Sequence, residues 1–200
     1  MTKERLYIFD TTLRDGAQTQ GVDFSIDDKI KIAHALDSLG VDYIEGGWPG
    51  ANPSDTEFFQ KKIKLNKSIM TAFGMTKKTG RSAENDPGLS SILNSNTSSV
   101  CLVGKSWDFH VDVALGISEE ENLENISEST KLFVKEKKEF MFDAEHFFDG
   151  FKSNKKYALS CIKSAYDNGA RWIVLCDTNG GTLPHEVSEI VYEVSKSVPG

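Results

Sequence analysis

Short apolar runs alternate along the chain with longer stretches in which apolar residues recur every three or four positions. The runs fall at 6–9, 41–44, 69–73, 100–103, 140–142 and 172–176. They are near-continuous rather than alternating, which is the pattern of parallel strands covered on both faces. Helical segments are expected between them. Ser25 with Asp28 forms a capping-box signal ahead of Ile26, Ile30, Ala33, Leu36 and Leu39 on one face, with Gly40 at the exit. Ser54 with Glu57 is expected to open a second helix carrying Phe58 and Ile63, and Asp86-Pro87 a third. Ser118 with Glu121 opens the longest, with Leu123, Ile126, Thr130, Phe133 and Val134 inward. A fifth covers 154–168 and stops at Gly169, and a sixth follows Thr182-Leu183-Pro184.

Six strand–helix units in strict alternation imply an α/β fold with a parallel sheet and right-handed crossovers. A doubly wound sheet and a barrel both fit that alternation. The placement of polar residues favours the barrel. Asp10 to Asp15 follow the first strand, Glu45 the second, Lys105 to His110 the fourth, Glu145 and His146 the fifth, and Asp177 to Asn179 the sixth. Polar residues gathered at successive strand ends mark a barrel's catalytic face. A dinucleotide-binding sheet would concentrate them after one G-x-G-x-x-G turn, and none follows the first strand. A (β/α)8 TIM barrel needs eight strands, so residues 1–200 are expected to be its N-terminal part, with the last strands and later domains outside. Six strands alone would leave two unpaired edges.

Composition narrows the partners. The 200 residues are 38% apolar with a net charge of −7, which argues against nucleic acid or an anionic membrane as the main partner. The segment Met1-Thr2-Lys3-Glu4-Arg5 leads into a four-residue apolar run, too short for a signal peptide, and no stretch approaches a bilayer span. Cys101, Cys161 and Cys176 form no C-x-x-C pair and fall in apolar surroundings, where a free thiol behaves as a small hydrophobe. A reducing cytoplasm is the expected compartment. The acidic-then-basic stretch 119–138 reads as a solvated helix face in accord with the helix dipole.

The segment Asp10-Thr11-Thr12-Leu13-Arg14-Asp15-Gly16-Ala17-Gln18 places an arginine beside a carboxylate immediately after a buried strand. Arg14 carries a permanent charge able to hold an oxyanion, and Asp15 is a hard oxygen ligand suited to a divalent cation. On residue types alone, a turn with a surface ion pair is the commoner outcome.

The motif itself resembles the signature of the family containing 2-isopropylmalate, homocitrate and citramalate synthases, with hydroxymethylglutaryl-CoA lyase a more distant relative. Four further segments resemble the citramalate synthase branch in order: 41–55 around Glu45-Gly46-Gly47-Trp48-Pro49-Gly50, 103–111 around Lys105-Ser106-Trp107, 142–150 around Glu145-His146, and 176–184 around Asp177-Thr178-Asn179. The resemblance covers essentially the whole chain.

That likeness implies roles. Arg14 would bind and polarise the keto oxygen of a 2-oxoacid, and Asp15 would ligate a divalent metal ion (Zn, Mn or Mg). Glu145 would assist proton chemistry at the reacting acetyl group, Thr178 would hydrogen-bond the oxoacid carboxylate, and Gln18 would lie near the metal. Each has an ordinary alternative: Glu145 as a strand-end ion-pair partner, Thr178 as a residue that satisfies a turn. His34 is expected at the surface and His185 in the first turn of the last helix, while His110 and His146 follow strands and can line a cleft. The family completes its metal site with an H-x-H pair after a seventh strand, which this sequence does not contain. One carboxylate is too few for a tight site, which uses about three protein ligands. The isolated chain is therefore expected to bind metal poorly and to be inactive.

The implied reaction is a condensation of acetyl-CoA, as co-substrate, with a 2-oxoacid, releasing CoA in branched-chain amino-acid (isoleucine) biosynthesis. Pyruvate is the preferred oxoacid, giving citramalate; 2-oxoisovalerate, as in the 2-isopropylmalate synthases of leucine biosynthesis, is the alternative. Small-molecule substrates and a homodimer are the implied partners. A non-catalytic truncated barrel or interaction remnant is the competing class, supported by the missing histidine pair and opposed by the intact Arg14, Asp15, Glu145 and Thr178.

Overall fold

The computed structural model describes residues 5–199; Met1 to Glu4, which carry most of the leader-peptide reading, and Gly200 lie outside the described residues. The elements run β1 (Phe9–Asp10), α1 (Ile26–Leu39), β2 (Tyr43–Gly47), α2 (Pro53–Gln60), β3 (Ile69–Met75), α3 (Pro87–Leu93) and β4 (Ser99–Lys105). There follow α4 (Asp108–His110), α5 (Glu119–Lys135), β5 (Glu139–Glu145), α6 (Phe147–Ser153), α7 (Lys155–Asp167), β6 (Trp172–Leu175) and α8 (Pro184–Ser197). The six strands pair in chain order, β1-β2-β3-β4-β5-β6. They are parallel, as expected of an incomplete TIM barrel; in a doubly wound sheet the strand order would reverse at a switch point. All six predicted strands are present, and β2 to β5 run further than predicted toward the polar residues at their C-terminal ends. The apolar run 6–9 is the exception. Only Phe9–Asp10 is strand, and Leu6 and Ile8 are 81% and 46% exposed.

The chain forms two compact units, one of Met1–Gly74 with Ser90–Cys101 and the other of Met75–Leu89 with Leu102–Gly200. In the first, Leu13, Ala33, Ile44, Phe58, Ala72, Ile92 and Val100 are buried. Ser25 and Asp28 form the predicted capping box, and Gly40 closes α1 in the left-handed region at φ 92°. The buried face of α1 differs from the apolar stripe. Lys29 and Asp37 are inside while Leu39 is outside. Asp37 is buried because its carboxylate accepts the backbone N–H groups of Asn66, Lys67 and Ser68 at 2.9, 2.8 and 2.8 Å. These three donors offset its desolvation and hold its pKa far below the carboxylate range. Helix α2 starts earlier than predicted. Asn52, not Ser54, is the cap, accepting from Asp55 N at 2.7 Å, and Pro53 occupies the first turn, where its lost N–H costs nothing.

In the second unit Leu89, Leu102, Ile126, Phe133, Phe140, Phe142, Phe147 and Ile162 are buried. Ser118 and Glu121 cap α5 as predicted. Leu132 rather than Val134 faces inward on that helix, Val134 being 37% exposed. Helix α6 was not predicted, because its seven residues are too few to show a period. It packs so tightly that a Cβ on Gly150 would stand 2.4 Å from the carbonyl oxygen of Ser106. No helix among the described residues is long and apolar enough to cross a membrane.

That close approach gives a test. Gly150→Ala should lower stability by about 1–3 kcal/mol, the cost of overpacking against backbone that cannot move aside. Gly181→Ala, with nothing within 4 Å of its added carbon, is the control and should leave the thermal midpoint nearly unchanged.

Candidate active site

In the first unit the chain leaves β1 through a turn in which Arg14, Asp15 and Gly16 all donate their backbone N–H to the carbonyl of Thr11, at 3.1, 2.9 and 3.1 Å. Asp10 closes the same turn from below, accepting from the backbone N–H and the hydroxyl of Thr12 at 3.0 and 3.2 Å. Leu13 is fully buried, so the turn is anchored by one apolar side chain between two polar flanks. Arg14 is held on three sides. Its Nε donates to Glu45 Oε2 at 2.6 Å, its Nη1 reaches Asp15 Oδ1 at 3.2 Å, and its guanidinium carbon lies 3.9 Å from the centre of the Phe73 ring. Lysine could not reproduce this planar arrangement.

Glu45 is fully buried inside β2 rather than following it. The register between β2 and β3 shifts between Glu45 and Gly47, a bulge of the kind that re-aims side chains near sites. Glu45 was not among the predicted site residues, although a carboxylate inside the apolar run Tyr43-Ile44-Glu45 was the signal that could have found it. Beyond the bulge, Lys29 Nζ donates to Asp55 and, at 3.1 Å, to the carbonyl of Gly46. Asp55 also accepts from Trp48 N at 2.8 Å and Asn52 Nδ2 at 3.0 Å. Gly47 has φ 145°, and a Cβ there would meet the Asp55 carboxylate at 2.5 Å. The loop therefore closes around a glycine. A cleft of about 440 Å³ is lined by Arg14, Gln18, Lys29, Trp48 and Asp55 among others, which places Gln18 in the same concavity as Arg14.

In the second unit Glu145 ends β5 and pairs with Lys105 at the end of β4. The two strand ends are fixed by backbone bonds as well. Ser106 donates to the Glu145 carbonyl from its hydroxyl at 2.6 Å and from its N–H at 3.4 Å. His146 then turns the chain into α6 in the left-handed region, φ 52° and ψ 34°, uncommon for a residue with a side chain. Its N–H donates to Thr178 Oγ1 at 2.9 Å. An acceptor role toward that amide leaves the exposed Thr178 hydroxyl its own hydrogen to donate outward.

The rings of His110 and His146 meet edge-on with centroids 4.4 Å apart, and Trp107 lies 4.8 Å from His110. His146 Nδ1 stands 3.4 Å from Asp149 Oδ2, which also accepts from Asn179 Nδ2 at 2.9 Å. Burial, then the neighbouring His146 and Lys105 charges, depress the pKa of His110 below 6.5. His34 is exposed, as predicted, and His185, in the first turn of α8, is exposed as well.

The structure thus brings Arg14, Asp15 and Gln18 together in one unit, and Glu145 and Thr178 in the other. As a metal ligand Asp15 is suitably exposed, but among the described residues no group of three His, Cys, Asp or Glu side chains could hold an ion. The described residues do not by themselves make a metal centre. Cys101 and Cys161 are buried thiols, whereas Cys176 is half-buried, its sulfur hydrogen-bonded to Asp143.

The HMGL-like family model matches residues 5–200, and the chain belongs to that family. It is 52% identical over 195 residues to an (R)-citramalate synthase of Aquifex aeolicus and 50% identical over 200 residues to one of Sulfolobus acidocaldarius. Those matches cover 96% and 99% of this chain but 37% and 38% of the relatives, so the chain spans little more than a third of their length. A 2-isopropylmalate synthase of Caldanaerobacter subterraneus is 31% identical over the whole chain and 49% of its own length. Among solved structures, a hydroxymethylglutaryl-CoA lyase from Pseudomonas aeruginosa superposes with a TM-score of 0.79 at 17% identity, covering 98% of this chain and 65% of that one. At that identity the likeness is one of fold.

The His110 environment carries a pH dependence with a defined sign. A folded-state value below 6.5 means that the folded protein binds fewer protons at this site than the unfolded chain does. The stability associated with the neutral ring is therefore complete above about 6.5 and declines as pH falls through the folded value. An NMR titration should place the His110 midpoint below 6.5, and His146→Gln should raise it by removing a neighbouring charge.

Proposed function

We propose that the whole protein condenses acetyl-CoA with pyruvate to give citramalate and free CoA. The observation that carries this reading is the identity near 50% to (R)-citramalate synthases across essentially all of this chain, against 31% to a 2-isopropylmalate synthase. The retained chemistry of the two strand-end clusters supports it. Arg14, oriented by Glu45 and Phe73, directs its charge to the keto oxygen on which negative charge develops. The Thr178 hydroxyl, its oxygen already engaged by the His146 N–H, donates to the oxoacid carboxylate. Glu145 serves the proton chemistry of the acetyl group, and Gln18 lies near the metal. Asp15 contributes one oxygen ligand to a divalent cation, the remaining ligands coming from outside this chain. Such an ion, when bound, withdraws electron density from the keto group. The same reading carries a homodimer working in the cytoplasm. 2-Oxoisovalerate carries two more methyl carbons than pyruvate, and each is worth only about 1–3 kcal/mol of discrimination in an apolar pocket.

The test monitors thiol release from acetyl-CoA by the whole protein, with pyruvate and with 2-oxoisovalerate, in the presence and absence of chelator. Pyruvate should be the faster substrate and Asp15→Ala should abolish release. Arg14→Ala should cost about 2–4 kcal/mol in barrier, as removal of other oxyanion donors does. Because that change also strands buried Glu45, Arg14→Lys, which keeps the charge, accompanies it and should retain more activity than Arg14→Ala; full activity in Arg14→Ala would show that the charge has no such role. Thiol release with neither oxoacid would overturn the reading and favour a non-catalytic barrel.

A further inference from the structure

The Lys105–Glu145 pair is built unlike the ion pairs that link successive turns within this chain's helices. Lys61–Glu57 and Lys163–Asp167 link one helical turn to the next, with side chains 46–58% exposed. Lys105 and Glu145 come from neighbouring strand ends, 40 residues apart, with side chains only 19% and 27% exposed. Their backbones are fixed independently of the charges. Ser106, itself fully buried, donates twice to the Glu145 carbonyl. The Lys105 carbonyl accepts from Asn122 Nδ2 at 2.8 Å and from Cys161 Sγ at 3.7 Å. The Asn122 amide also donates to Tyr157 Oη at 2.7 Å, and Asn122, Tyr157 and Cys161 are all buried. A buried polar network therefore holds the base of one partner, and a serine clamp holds the base of the other. Such support sets where a side chain begins, and the ion pair sets where it ends.

From this geometry we infer that Lys105 is a positioning residue for Glu145, holding its carboxylate in one orientation at the end of β5. The inference rests on the reading of Glu145 as the group that handles the acetyl proton. Without Lys105 the glutamate would keep its chemistry but spread over several rotamers, and a proton-transfer group that is misplaced by even about 1 Å loses rate. The effect should fall on turnover rather than on substrate affinity, because Lys105 acts through Glu145.

Two measurements on the whole protein test it. In steady-state kinetics, Lys105→Met should lower kcat by about tenfold or more while KM for acetyl-CoA and for the oxoacid stays within about threefold. Lys105→Arg should recover much of the loss, and circular dichroism should show the fold retained in both. A Lys105→Met protein with unchanged kcat, or one whose defect lies in KM alone, overturns the positioning role. Separately, a water-soluble carbodiimide should join the Lys105 amine to the Glu145 carboxylate as a zero-length amide detectable by peptide mass spectrometry, and Glu145→Gln should abolish it. Absence of that cross-link overturns the pairing whether or not the protein is active. A cross-link in a protein that releases no CoA refutes the reading of Glu145, and with it the role of Lys105 in turnover.

Discussion

A carboxylate placed inside an apolar strand must be met by a cation or lose its charge, and Glu45 is met by Arg14. Removing one partner of so buried a pair typically costs about 3–5 kcal/mol, since the other charge is then left uncompensated. The constraint runs in both directions. Glu45 dictates where the guanidinium of Arg14 sits, and Phe73 supplies the face against which it lies. The turn after β1 must then present Asp15 outward beside it, because Leu13 occupies the buried position of that turn. Arg14 and its neighbour Asp15 are thus oriented by a packing requirement that originates on the next strand.

The second unit uses the same device with different parts. Glu145 stands at a strand end and meets a cation from the end of the neighbouring strand, Lys105. Here the pair is half-buried, so its geometry depends on the Ser106 clamp and the Asn122 network more than on charge alone. Immediately after Glu145 the backbone takes the left-handed conformation of His146, held by the bond to Thr178. Backbone in such a region persists only where its surroundings over-determine it. The tie matters chemically, because it engages the threonine hydroxyl oxygen as an acceptor.

Much of the fold was legible in the order of the residues. Strand existence came from runs such as 100–103 and 140–142, whose burial demands continuous apolar character. Helix starts came from local chemistry that needs no tertiary partner, as at Ser25 with Asp28 and Ser118 with Glu121. Errors arose where a distant contact overrode a local pattern. Asp37 lies inside because the 66–68 backbone offers it three donors, and Leu39 is displaced outward on the same helix. Helix α6 was invisible because its seven residues are too few to show a period, and its close packing at Gly150 against Ser106 has no periodic signature.

For the site, the residue types and their spacing after each strand were set by the sequence: Arg14 beside Asp15, Gln18 three positions on, Glu145 and Thr178 at later strand ends. Strand alternation makes such positions readable, since the residues after a buried run emerge at its end. Tertiary structure alone decided the partners. That Arg14 answers to Glu45, that Lys105 answers to Glu145, and that Thr178 accepts from His146 are matters of 31 to 40 residues of separation closed by sheet pairing. Local propensity carries no information about which two strand ends become neighbours, and the direction of a charged side chain is set by the charge it meets there.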